Sequence, residues 1–194
     1  GKTQCEDDLL AAVELAQTLN FPQLKMYFML GHPTETDDDI QGIIDLTLKA
    51  RRLFRRNVAI NATPFVPKAH TPFQHMAMTP AKTVAARQRT LKKALAQHSV
   101  TVDADPPEWA EVQGVLARGD RRLARVLWNT ERVTVRGFWA AMNEHGLSAA
   151  EFLGPRDAGQ PQPWDVVESG VTPSFYRYEA RLAALADAKI GLWD

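Results

Sequence analysis

The sequence predicts a helix-rich α/β protein, and three observations carry that class. An apolar stretch, Leu24 to Leu30, runs into the turn Gly31-His32-Pro33-Thr34-Glu35-Thr36. An amphipathic segment follows, and then a second apolar stretch from Val58 to Phe65. Strand, turn, helix, strand at this spacing is a βαβ unit, because parallel strands need a crossover of about a dozen residues or more. Past residue 100 only helical periodicity is legible, so an all-helical region is expected to follow the α/β part.

Taken in order, Thr3-Gln4-Cys5-Glu6 reads as a capping box, and Leu9, Leu10, Val13, Ala16 and Leu19 then share one helical face. Asn20 and Pro22 end that helix before the first strand. Residues 26–30 are apolar on both faces, which predicts a strand buried on both sides. The next helix starts at Thr34 or Thr36, with Asp37, Asp38 and Asp39 in its first turn and Arg51, Arg52, Arg55 and Arg56 near its end. Both termini suit the helix dipole. Ile40, Ile43, Ile44, Leu48 and Leu53 supply its buried stripe. Pro64, Pro67 and Pro72 stop the second strand from running on as ladder and imply a shaped loop. Thr79-Pro80 opens a long helix to about Gln97. Residues 100–107 read as a linker. Helices are expected near 109–116, 120–128 and 132–144, the last closed by Gly146. Ser148 starts a short helix, 154–170 is irregular, and Thr172-Pro173 opens a final helix to about Asp187.

Composition narrows the function classes. The chain has 194 residues, 45% apolar and 24% charged, which is ordinary for a globular protein. Its 23 basic and 23 acidic side chains cancel, so no global field draws it to nucleic acid or an anionic membrane. No apolar run approaches the roughly 20 residues that span a bilayer.

The turn from Gly31 to Thr36 resembles the Gly-x-Pro-x-Glu-Thr turn after the fifth strand of radical S-adenosylmethionine (SAM) enzymes. The phrase Phe65-Val66-Pro67-Lys68-Ala69-His70-Thr71-Pro72-Phe73-Gln74 resembles the sixth strand of a little-characterised group of them. Members of that group often carry a cobalamin-binding domain upstream. Ala117-Arg118-Gly119-Asp120-Arg121-Arg122 and Gln162-Pro163-Trp164-Asp165 are similar to segments of the group's C-terminal extension. The resemblance implies the last β/α units of a partial (β/α)6 TIM-like barrel over residues 1–99 and a helical C-terminal extension over 100–194. It also implies that the intact enzyme uses a 4Fe–4S cluster to cleave SAM, starting radical chemistry on an unknown substrate, with cobalamin as a further cofactor upstream. The family holds its cluster with three cysteines in a Cys-x3-Cys-x2-Cys loop, whereas this chain has one cysteine, Cys5. One thiol cannot supply the thiolates that a cluster needs. The expectation is therefore the C-terminal part of a longer enzyme, inactive and without bound cofactor on its own. Few cysteines and an oxygen-sensitive cofactor both favour a reducing cytoplasm.

By the same resemblance, Met29, Leu30, Gly31, Phe65 and Val66 occupy places that pack on the adenine of SAM. Without it, Gly31 is a tight strand-to-helix turn. His32 and His70 follow the ends of neighbouring strands and are candidates for substrate contact or proton transfer; a loop hydrogen-bonding role is the plainer alternative. His75 and His98 read as surface residues. Arg118, Arg121 and Arg122 either bind an anion at a helix start or form a salt-bridged face with Asp120 as N-cap, and the second is favoured. Trp109, Trp128, Trp139 and Trp164 read as packing anchors. Two other classes stay open: a metal-dependent hydrolase using His32, His70 and Glu35, and a non-catalytic helical interaction module. No membrane or nucleic-acid partner is expected. A cut barrel would expose a strand edge beside Tyr27 and Phe28, which is expected to self-associate or to be covered by a helix.

Overall fold

The structure is a computed structural model that describes residues 5–186. Its elements are α1 (Glu6–Thr18), β1 (Gln23–Leu30), α2 (Asp37–Leu53), β2 (Asn57–Pro64), α3 (Ala81–Leu95), β3 (Val100–Ala104), α4 (Pro107–Arg118), α5 (Leu123–Asn129), α6 (Val135–Glu144), α7 (Ala149–Leu153) and α8 (Pro173–Ala186). They fall into two compact units, each discontinuous in sequence. Among the described residues the first holds 5–31, 35–64 and 82–106; the second holds 32–34, 65–81 and 107–186. The sequence reading divides the chain instead at 99/100.

In the first unit the expected parallel pairing of the two strands is present, with Leu24 opposite Val58 and Leu30 opposite Pro64. The linker expected at 100–107 is corrected: β3 occupies 100–104 and pairs in parallel with β2, Val58 opposite Val100 and Ala62 opposite Ala104. Alternation explains the miss. Val100, Val102 and Ala104 alternate with Thr101 and Asp103, a half-buried edge pattern of only 5 residues. The sheet order is β1-β2-β3, an open three-stranded sheet rather than a closed barrel.

The two faces of this sheet differ. Leu24, Met26, Phe28 and Leu30 of β1, Val58, Ile60 and Ala62 of β2, and Val100 and Val102 of β3 pack with one cluster of helical side chains. Val13 of α1, Ile40 and Ile44 of α2, and Val84, Leu91 and Leu95 of α3 supply that cluster. The odd-numbered residues carry the other face: Lys25, Tyr27, Met29, Ala59, Asn61, Thr63, Thr101 and Asp103, of which Ala59 is buried. Tyr27 is 70% and Met29 62% exposed, so β1 is not buried on both sides as its composition predicts. An apolar side chain marks a candidate for burial; only a covering element buries it.

Local signals place the helix ends. Thr36 caps α2 in a reciprocal box: its N–H and Oγ1 donate to Asp39 Oδ2 at 2.7 and 2.9 Å. Cys5 caps α1, its N–H donating to Asp8 Oδ2 at 3.2 Å, so the box lies two residues beyond the Thr3-to-Glu6 one expected; Thr3 is outside the described residues. Asn20 takes φ 60°, where an asparagine is tolerated, and turns the chain after α1. The arginines ending α2 serve carbonyls: Arg51 Nη1 donates to Phe54 O at 2.9 Å and Arg56 Nη1 to Asn20 O at 3.0 Å.

The core of the second unit is helical. Val112 and Val115 of α4, Leu123 and Val126 of α5, Phe138 and Met142 of α6, and Phe152 of α7 form one buried cluster. Ser148 caps α7 through its Oγ, and Gly146, at φ 65°, follows α6 as expected. Among the described residues no helix is long and apolar enough to cross a membrane.

Candidate functional site

In the first unit the strand-end turn is built around a carboxylate. Gly31 follows β1 at φ 88°, a left-handed conformation that a side chain would strain. Its N–H donates to both oxygens of Glu35, 2.9 Å each. Arg87, from α3, donates through Nη1 to Glu35 Oε1 and through Nη2 to the Glu35 carbonyl at 2.9 Å. The side chains of Glu35 and Arg87 are 6% and 14% exposed, so this ion pair is largely withdrawn from water. Next to it, Gln88 of α3 donates to the carbonyls of Ala62 and Asp105 at 3.1 and 2.9 Å, closing the carboxyl ends of β2 and β3.

The sheet face opposite the helical cluster carries several polar side chains. Lys25 Nζ donates to Asp103 Oδ2 at 3.0 Å across β2, and Thr63 Oγ1 to Asp105 Oδ2 at 2.9 Å. Between them lies Asn61, opposite Tyr27 on one side and Asp103 on the other, with its Oδ1 buried and without a hydrogen-bond partner. Met29 is exposed on this face and Leu30 is fully buried on the other, so these two candidate cofactor residues point to opposite sides of β1.

In the second unit His32, Phe65 and Phe73 form an aromatic cluster. The ring centroids of His32 lie 4.9 Å from Phe65 and 4.4 Å from Phe73, and Phe65 and Phe73 are edge-on at 5.4 Å. Thr34 Oγ1 sits 3.3 Å from His32 Nδ1. Val66 is half-buried in the following loop.

His70 belongs to another group. It takes φ 55°, and its N–H donates to Gln74 Oε1 at 3.0 Å, the same oxygen that accepts from Trp164 Nε1 at 2.7 Å. Arg118 is fully buried and donates to carbonyls of the same loop, Met76 at 2.6 Å and Gln74 at 3.4 Å. It also donates to the carbonyls of Phe152 and Gly154. Burial, reinforced by Arg156, pushes its guanidinium down to about 10, still cationic at neutral pH. The three phrases containing Gln74, Arg118 and Trp164 are far apart in sequence and meet here. A cavity of about 910 Å³ lies alongside, lined in part by His70, Gln74, His75, Asp165, Tyr176 and Arg177. His70 Nε2 and His75 Nδ1 are both buried without a partner.

Several expectations change. His75 is half-buried rather than a surface residue: its carbonyl accepts from Arg156 N at 2.8 Å. Burial pushes its imidazole below the usual histidine range; Asp165 opposes this, and Arg156 and Arg118 reinforce it. The arginine run does not act as one anion site. Arg118 is interior, and Arg122 pairs with Asp120 at 2.7 Å and with Glu151. Asp120 Oδ1 accepts from the N–H of Arg122, but Arg122 itself is the N-cap of α5, so Asp120 does not cap that helix as expected. Trp164 is buried, but Trp128 is 90% exposed and anchors nothing among the described residues. No group of three or more His, Cys, Asp and Glu among the described residues is placed to hold a metal.

Sequence reasoning missed Arg87, Gln88 and the interior place of Arg118. Gln88 lies on the stripe of Val84, Leu91 and Leu95, and Arg118 continues Ala110 and Gly114 at fourfold spacing. A polar residue inside an apolar stripe was the available signal. Arg87 offers none.

No family model matches the chain, and no solved structure matches it. An uncharacterised protein of Methanocaldococcus jannaschii is 35% identical over 124 residues, a stretch covering 63% of this chain. The matched stretch is 27% of that protein, so the chain spans about a quarter of its relative's length.

Proposed function

We propose that this chain is the C-terminal part of a radical SAM enzyme: the last β/α units of a partial barrel, then a helical extension. The observation that carries the reading is the one-sided sheet. A parallel sheet with helices on both faces is a doubly wound fold, whereas helices on a single face are what a barrel requires. Here α1, α2 and α3 all contribute to one apolar cluster, and the opposite face presents Lys25, Tyr27, Asn61, Thr63 and Asp103, side chains suited to lining a polar lumen.

The residues present fit SAM better than they fit a cluster. Gly31 offers a backbone position without a side chain at a strand end, and exposed Met29 offers an apolar surface on the open face. One exposed cysteine does not fit a 4Fe–4S cluster, whose ligands would come from elsewhere in the full-length protein. Reductive cleavage of SAM is the chemistry that such cofactors supply; the part of this chain is to orient the bound molecule and shield it from water. Phe65, Val66, His32 and His70 remain candidates in the second unit for cofactor and substrate contact, and cobalamin for an upstream domain.

The hydrolase alternative draws little support, because the carboxylate it needs, Glu35, is already engaged by Gly31 and Arg87. No observation favours a purely helical interaction module over an enzyme. The test is anaerobic purification of the full-length protein, followed by iron and sulfide analysis and detection of 5′-deoxyadenosine from SAM under reducing conditions. Stoichiometric iron and sulfide with SAM cleavage are expected. Zinc or manganese in place of iron, or no SAM binding by a cluster-loaded protein, would overturn the reading.

A further inference from the structure

We infer that Arg87 is a positioning residue: it locks the Glu35 carboxylate onto the Gly31 amide and thereby sets the shape of the strand-end turn that SAM approaches. The inference rests on the radical SAM reading for the identity of that ligand, but its geometry stands without it.

A carboxylate nearly withdrawn from water that binds one N–H with both oxygens at 2.9 Å is in an unusual post. Left to itself, such a side chain would exchange this single donor for water. It stays because Arg87 neutralises it from the other side and also reaches the Glu35 carbonyl, fixing side chain and main chain of one residue together. The guanidinium fork suits that double contact; an ammonium, a point charge, can serve only part of it. Removing either partner would leave the other charge buried and uncompensated, the costly way to break such a pair.

The consequence falls on Gly31. Its φ of 88° lies in the region glycine enters freely, so the lack of a side chain permits this conformation without selecting it. The selection comes from the bond to Glu35. Arg87 lies 52 residues further along, on α3, so the turn after β1 is tied to a helix that follows β2. A ligand resting on the Gly31 backbone would meet a fixed edge instead of a flexible one, and less ordering would remain to be done on binding.

The test uses the full-length protein, with SAM itself as probe. Hydrogen exchange over residues 29–36 reads the clamp directly, and equilibrium dialysis reads SAM affinity. Arg87→Met is expected to speed exchange in that segment and raise the Kd for SAM about tenfold, the scale of one charge-assisted hydrogen bond. Arg87→Lys is expected to restore part of both. Exchange over residues 107–118 serves as the folding control and should not change. Unchanged exchange at 29–36 in a folded Arg87→Met protein would overturn the clamp. Faster exchange with an unchanged SAM Kd would overturn the positioning role. Wild-type protein that binds no SAM would sink the radical SAM reading and the ligand named here, while the exchange result would still decide the clamp.

Discussion

At the scale of single residues, Arg118 is the most exacting position. Its guanidinium is fully buried and serves four carbonyls, with no carboxylate among them. Arg118→Met keeps much of the volume but leaves those carbonyls without donors, and is expected to destabilise the chain by about 3 kcal/mol, read by denaturant unfolding. His75 gives a pH signature. Its folded pKa lies below the unfolded value, so the unfolded state binds more protons as pH falls through about 6.5. Stability is then full above that pH and is lost below it. Melting temperature should fall between pH 7 and 5.5, and His75→Gln should flatten that slope. Gly31 differs in kind, because its φ of 88° excludes a β-branched side chain. Gly31→Val in the full-length protein should weaken SAM binding, measured by dialysis, whereas Arg121→Ala, an exposed site in the second unit, should leave it unchanged.

At the scale of elements, β2 carries the sheet. It is the central strand, and Ile60 is fully buried on the helix-covered face, opposite Met26 and Val102. Ile60→Ala is expected to cost about 2–5 kcal/mol, because the helices around it can collapse only in part. The cap on α2 is a smaller lever. Thr36→Ala removes one side of the reciprocal box with Asp39 and should cost about 1 kcal/mol, with exchange rising first in the opening turn of the helix. The α2 cap is legible because it is local, donor and acceptor lying three residues apart, whereas the α1 box lies two residues beyond the one its pattern predicts. Strand β3 is not legible, because 5 residues of weak alternation become a strand only when β2 offers the ladder.

At the scale of the whole molecule, β1 is an edge strand, and among the described residues no other strand pairs with its outer side. Its open face shows Tyr27 and Met29, with Leu19 and Phe21 exposed just before it. Unpaired strand edges beside apolar side chains recruit partners. The chain produced alone is expected to self-associate, seen as a sedimentation coefficient that rises with concentration, and Met29→Lys should suppress this. A monomer at every concentration, with slow exchange over residues 24–30, would mean that the edge is covered from within the chain.

What the sequence determined by itself is whatever depends on short range and periodicity. That covers the βαβ unit, the succession of helices, the cap at Thr36 and the strand-to-helix turn at Gly31. Patterns of 2.0 and 3.6 residues and capping pairs are written into neighbouring positions, so they survive without tertiary context. Only the tertiary structure decided which faces are covered and which charges are interior. Tyr27 and Met29 are apolar yet open, while Arg118, Glu35 and Arg87 are charged yet withdrawn from water. The reason is physical: burial of a charge is tolerated when partners from distant segments satisfy it, and the bonds from Arg87 to Glu35 and from Arg118 to Met76 span 52 and 42 residues. No local pattern encodes such a pairing, so the strand-end clamp appears only once the chain has folded.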